Sequence, residues 1–152
     1  MLSVSLTEFA EKLSKLLPEI ARGTIKREAV ELASGNITLP QFLILNILEK
    51  EGESRMTDIA RFLGVTTAAA TGIVERLVKP GYVQRVPGVK DRRIIRIKLN
   101  PKGRELAQRL NKQKKQNIIE IFGMISSVDR EKFLEILMRI HEIVTREKGP
   151  AK

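Results

Sequence analysis

Asp91-Arg92-Arg93 stands at the tip of a polar loop, Pro87 to Arg93, between two strand-like runs, Tyr82 to Val86 and Ile94 to Leu99. A guanidinium carried on such a tip is planar and permanently charged, and it can enter the minor groove of a duplex where a narrow groove concentrates negative potential. Asp91 is out of character in so basic a stretch. A carboxylate there can hold an arginine in position through a charge-assisted hydrogen bond. From Arg76 to Lys115 the chain carries fourteen Lys and Arg against two acids, Asp91 and Glu105. The remaining residues hold fourteen bases and sixteen acids, so the net charge of +10 is concentrated in and just after this loop. Segregated cations of this kind are the electrostatic footprint of a polyanion binder.

Two short helical patterns lead into the loop, Thr57 to Leu63 and Thr66 to Lys79, joined at Gly64-Val65. Helix, turn, helix and hairpin in that order predict a winged helix, which lays one helix in the DNA major groove with the hairpin beside it. Ile59, Ala60, Leu63 and Val65 are the expected small core of the first helix and turn. Thr66 or Thr67 caps the second helix. Along it Ala69, Ala70, Ile73, Val74 and Leu77 are spaced to face inward. Thr66, Thr67, Ala68, Thr71, Gly72, Glu75 and Arg76 are left for solvent or DNA. That outer face is chemically modest. Threonine hydroxyls and methyls, with the Ala68 methyl, can touch thymine methyls and single acceptors. They cannot make the bidentate base contacts worth about 1–3 kcal/mol each. Arg76 lies late in the helix and suits phosphate. Specificity is therefore expected from DNA shape and from the hairpin, where Ile95, Ile97 and Leu99 alternate with Ile94, Arg96 and Lys98.

The flanking segments are helical. Ser5-Leu6-Thr7-Glu8 has the form of a capping box, and apolar residues from Leu6 to Ile20 recur every three or four positions. Pro18 should kink or split that helix near Leu17, and Ser34-Gly35-Asn36 should end it. A second helix opens at Leu39-Pro40-Gln41, with proline in the first turn, and stops near Gly52. Asn100-Pro101 starts a long helix whose middle turn, Asn111 to Asn117, holds no apolar residue. Ser126-Ser127 with Asp129 starts a last one, which Gly149-Pro150 ends. The apolar stripes of residues 5–34 and 101–147 flank a module able to bury its own small core. They are best covered by each other and by a second copy, so a symmetric dimer reading two half-sites is expected.

Other chemistry is thinly represented. The chain has no cysteine and one histidine, His141, which excludes disulfides, thiolate metal sites and cysteine redox sensing. His141 lies among Leu137, Ile140 and Val144, the setting of an interface residue rather than a metal ligand. No nucleophile–base pair, metal cluster or phosphate loop is present, and neither an enzyme nor a cofactor is expected. No apolar run approaches the length of a membrane span, and the N-terminus lacks the features of a secretory signal. A cytoplasmic location without membrane contact is the expectation.

The run from Leu39-Pro40-Gln41-Phe42 through Asp58-Ile59-Ala60, the Leu77 to Gly81-Tyr82-Val83 turn, and the Asp91-Arg92-Arg93 tip with Leu99-Asn100 and Gly103 resembles the MarR family of bacterial and archaeal transcription regulators. The Asp-x-Arg signature is the most specific element of that likeness. The resemblance implies a mostly α fold with a small β-hairpin wing, one domain over residues 1–152. Within it, residues 37–99 form the winged helix-turn-helix lobe, with dimerisation helices at 5–34 and 101–147. It also implies an obligate homodimer on a pseudopalindromic operator, Arg93 entering the minor groove and Asp91 orienting it. Thr66, Thr67, Ala68, Thr71, Arg76, Asp91, Arg92 and Arg93 are thus the candidate DNA-binding residues. Gly72 departs from the family pattern, where many members carry a larger polar or basic residue. Pro80 departs as well, standing where a charged residue is usual, so the helix should end abruptly. Asn100 stands in for the common threonine cap.

By the same likeness, a small amphipathic or phenolic effector would bind between the dimerisation helices and the lobe, with Leu13, Leu17, Phe42 or Phe122 as apolar lining. A repressor released by such a ligand is the first functional expectation. An architectural or constitutive DNA-binding protein, favoured by the plain recognition face and the high charge, is the alternative.

Overall fold

The computed structural model of the chain describes residues 4–34 and 36–146. The element order is α1 (Leu6–Ser34), α2 (Leu39–Glu51), β1 (Glu53–Arg55), α3 (Met56–Leu63), α4 (Thr67–Val78), β2 (Val83–Pro87), β3 (Ile95–Leu99), α5 (Pro101–Gly123) and α6 (Ser127–Arg146). The chain divides into two compact units, residues 1–112 and 113–152.

The first unit holds the core. Ile44, Leu45 and Leu48 of α2, Ile59 of α3, Ala70, Val74 and Leu77 of α4, Ile97 of β3 and Ala107 of α5 are all fully buried. These positions recur at helical spacing in α2 and α4; the far side of α4 is largely left to solvent, whereas α2 is buried or half-buried most of the way round. Leu32 at the end of α1 and Ile37 after it close the cluster on one side. Asn111 donates from Nδ2 to Asn46 Oδ1 (2.7 Å) and Gln108 from Nε2 to Glu49 Oε1 (3.1 Å), fastening α5 to α2. Gly103 is a further contact point. A Cβ there would run into the Tyr82 carbonyl oxygen, so only glycine lets α5 pass this close to the start of β2.

The sheet has three strands in the order β1-β3-β2, all antiparallel, with Ser54 opposite Ile97 and Arg85 opposite Ile97 from the other side. Glu53–Arg55 is thus a third strand beyond the expected hairpin. A run of three residues is too short to show alternation, which explains why its pattern is silent. An ion pair from Arg96 Nη1 to Glu53 Oε1 (3.4 Å) spans β3 and β1.

Other expectations meet the structure in detail. The helix α1 runs unbroken through Pro18, so the proline neither splits nor ends it. One lost N–H···O bond is a small part of a 29-residue ladder. Ser5 Oγ accepts the Glu8 amide at 3.2 Å, while the Glu8 carboxylate is taken by Lys12 at 2.8 Å. Thr38 caps α2, its amide donating to Gln41 Oε1 at 2.7 Å, with Pro40 in the first turn as expected. Val65 and Ala69, placed inside by their spacing, are exposed. Ala69 lies about 100° round the axis from the buried Ala70, off the packed side of α4, and Val65 lies in the turn between α3 and α4. Asn100 donates from Nδ2 to Gly81 O (3.0 Å), tying the start of α5 to the α4–β2 turn.

In the second unit, the end of α5 and α6 carry no buried residue. Phe122 stacks on Phe133 with ring centroids 5.5 Å apart. The Ser126 and Asp129 side chains hydrogen-bond at 2.7 Å, and Ser126 Oγ accepts the Asp129 amide at 3.2 Å, starting α6 as the sequence indicates. The expected stop at Gly149-Pro150 lies outside the described residues. No helix among the described residues is long and apolar enough to cross a membrane.

Candidate nucleic-acid interface

The helix α4 is bolted down by Ala70, Val74 and Leu77. At 100° per residue these place Ala68, Gly72 and Glu75 on the outward face, with Thr71 and Arg76 at its two edges, while Thr67 is exposed in the first turn of the helix. Thr66 is the cap: its backbone is extended and its Oγ1 accepts the Ala69 amide at 3.2 Å. The turn before it closes through the amides of Gly64 and Val65 on the carbonyls of Arg61 and Ala60. Thr67, Ala68 and Arg76 are exposed, and Thr71 is half-buried. The Thr71 hydroxyl donates to Thr67 O at 2.8 Å, so its proton is used within its own helix.

Glu75 sits in the middle of this outward face, where a lone acid would repel phosphate. Its carboxylate is ion-paired with Arg85 of β2. That pair neutralises the acid and links the recognition helix to the root of the wing.

The wing is built from backbone hydrogen bonds. Gly88 N donates to Ile94 O (2.7 Å) and Ile94 N to Asp91 O (3.1 Å), folding residues 88–94 into a closed loop. Asp91 contacts Arg93, two residues on, through an atom other than the expected guanidinium. Its Oδ1 accepts the backbone amide of Arg93 at 3.0 Å, so the contact goes to the main chain rather than to a guanidinium. Short aspartate side chains commonly turn the chain in this way. Lys90, Asp91, Arg92 and Arg93 are all exposed, and Val89 beside them is 91% exposed. Gly88 is buried. The structure therefore presents two surfaces in one lobe, a neutral helical face and a charged tip. Sequence reasoning had both, but it missed the Glu75–Arg85 link and the part played by Gly88. The only available signal for Gly88 was a glycine in a polar loop, which is common in turns of every kind.

The four residues named as effector lining sit in different settings. Leu13 and Leu17 are exposed on α1, and Phe42 is 5% exposed within the lobe core. Phe122 belongs to the stacked pair of the second unit. Burial withdraws Phe42 from any open surface. Among the described residues no cluster of His, Asp or Glu has the arrangement of a metal site.

A helix-turn-helix backed by a basic three-stranded wing defines a DNA-binding protein of the winged-helix class. The MarR family model matches residues 37–95, from the start of the lobe to the end of the wing loop. The HTH-type transcriptional regulator FarR of Neisseria gonorrhoeae is 31% identical over 104 residues, covering 68% of each chain. YpoP of Bacillus subtilis, described as an HTH-type transcriptional regulator, is 25% identical over 88% of this chain and 94% of its own. A MarR family protein from Bacillus stearothermophilus superposes with a TM-score of 0.84 at 25% identity, over 93% of this chain and 99% of that one. The chain belongs to the MarR family and is a transcriptional regulator with a DNA-binding helix-turn-helix fold. These relatives and structural neighbours are regulators, not enzymes.

Proposed function

We propose that the chain works as a homodimeric repressor on a pseudopalindromic duplex. Thr66, Thr67, Ala68, Thr71 and Arg76 lie at the major groove, and the Asp91-Arg92-Arg93 tip lies at the minor groove with Arg93 inserted. The observation that carries this reading is the exposed, backbone-ordered cationic tip linked to the outward face of α4 through Arg85 and Glu75. MarR-family membership supports it, since regulators of this family bind DNA as dimers. The apolar side chains left exposed support the dimer: Leu6, Leu16 and Ile20 on α1, and Leu134, Ile140 and Ile143 on α6. A second copy of the chain would cover both sets. Binding of a duplex selected from random sequence tests the reading. Arg93→Ala should weaken it severely while sedimentation still reports a dimer, and unchanged affinity would remove the tip from the interface. A chain lacking residues 1–20 should sediment as a monomer.

Release by a small amphipathic or phenolic effector extends this proposal, resting on family membership and on the exposed Leu13 and Leu17. Such a ligand must bind a DNA-incompetent state more tightly than the DNA-bound one. The plain outer face of α4 favours a second reading, a constitutive or architectural DNA-binding protein. The ratio of specific to non-specific affinity at a stated salt concentration separates the two.

A further inference from the structure

We infer that Gly88 is the positioning residue of the wing: it holds the tip in its DNA-binding shape before DNA arrives, and it acts through Asp91 on Arg93. This rests on the proposal that the tip enters the minor groove. Gly88 is buried although its neighbours Val89 and Lys90 are exposed. A Cβ built on it would lie 2.7 Å from Asp91 O and 3.1 Å from Ile94 O, both backbone atoms that no side-chain rotation can move aside. The same two carbonyls are the acceptors that close the loop. Ile94 O takes the Gly88 amide at 2.7 Å, and Asp91 O takes the Ile94 amide at 3.1 Å. Asp91 in turn binds the Arg93 amide through Oδ1 at 3.0 Å. The Cα of Gly88 is therefore the floor on which residues 91–94 rest. Any larger residue must lift Asp91, and with it the amide that sets the direction of Arg93.

An arginine that must first be ordered loses binding energy to that ordering. A tip already fixed by three hydrogen bonds avoids much of this loss, which suits a protein whose recognition helix offers few strong base contacts. Gly88 touches no DNA in this account; its effect reaches the duplex through one side chain.

The test is a double-mutant cycle between Gly88→Ala and Arg93→Ala, read as affinity for a duplex selected from random sequence by the unmodified chain. Gly88→Ala alone should weaken binding by about tenfold or more, the scale of one lost charged hydrogen bond. In the Arg93→Ala background it should add less than about twofold, because the coupled side chain is gone. Equal losses in both backgrounds would make Gly88 a general packing residue and overturn the inference, as would full affinity in Gly88→Ala. If Arg93→Ala itself binds normally, the proposed role of the tip fails first, and that outcome is distinct. A second measurement needs no variant. In the DNA-free protein the amides of Gly88, Arg93 and Ile94 should exchange with solvent at least about tenfold more slowly than unstructured amides. Unprotected amides there would show a tip that is not preformed.

Discussion

The recognition helix and the wing tip solve the same problem in opposite ways. The helix α4 takes its position from a buried spine of Ala70, Val74 and Leu77, and it presents a face almost without charge. The tip has no such spine. Its position comes from backbone hydrogen bonds around Gly88 and Asp91, and it presents several cations. A helix anchored by apolar packing can tolerate a bland outer surface because its placement does not depend on that surface. A loop without a core must spend its polar groups on its own geometry. Long basic side chains on an exposed hairpin keep their charge in water, without the cost of desolvation in the protein interior.

This contrast can be broken at several points, with effects of decreasing size. Leu77→Ala removes a fully buried side chain from the spine and should destabilise the lobe by about 2–5 kcal/mol in denaturant titration. A smaller loss than that would mean the helix is held by something besides its packing. Arg93→Ala should leave stability unchanged and cost about 1.5–3 kcal/mol in duplex affinity, the range for a hydrogen bond to a charged group. Thr66→Ala deletes the cap on Ala69 and should lower stability by about 1 kcal/mol, visible as a reduced denaturant midpoint at constant slope. Glu75→Gln frees Arg85, so affinity should rise at low salt, with a salt dependence steeper by about one unit. An unaltered slope would place Arg85 away from phosphate. Thr71→Ala should change affinity by less than about twofold, since that hydroxyl already donates within its helix and only a methyl contact remains. A large loss at Thr71 would reverse the comparison and give α4 a share of direct base readout.

The fold was legible where local signals were strong. Pro40 in a first turn, Gly64 at the helix-turn-helix joint and the Asn100-Pro101 start each stand within a residue or two of the observed boundary. The inward face of α4 was legible at Ala70, Val74 and Leu77, because 3.6-residue periodicity and burial coincide there. It failed at Ala69, which lies about 100° round the axis from the buried Ala70; Val65, expected in the small core, lies in the turn before α4 and is exposed. The candidate site was legible as residue types: an aspartate beside two arginines in a loop between strands. The partner of Asp91 was not, since a carboxylate near a guanidinium and near an amide look the same in one dimension. Glu75 and Arg85, ten positions apart, carry no local pattern that pairs them.

By itself the sequence determined which segments are helical, where the turns fall, and where the charge collects. Those properties depend on neighbours within a few residues, and composition and spacing record them directly. Only the tertiary structure decided that β1 adds a third strand, that Asp91 binds an amide, that Phe42 is core, and that Gly88 lies beneath the tip. Each of these depends on which chain segments meet in space, and a hydrogen bond or a missing Cβ acquires its meaning from the atom on the other side.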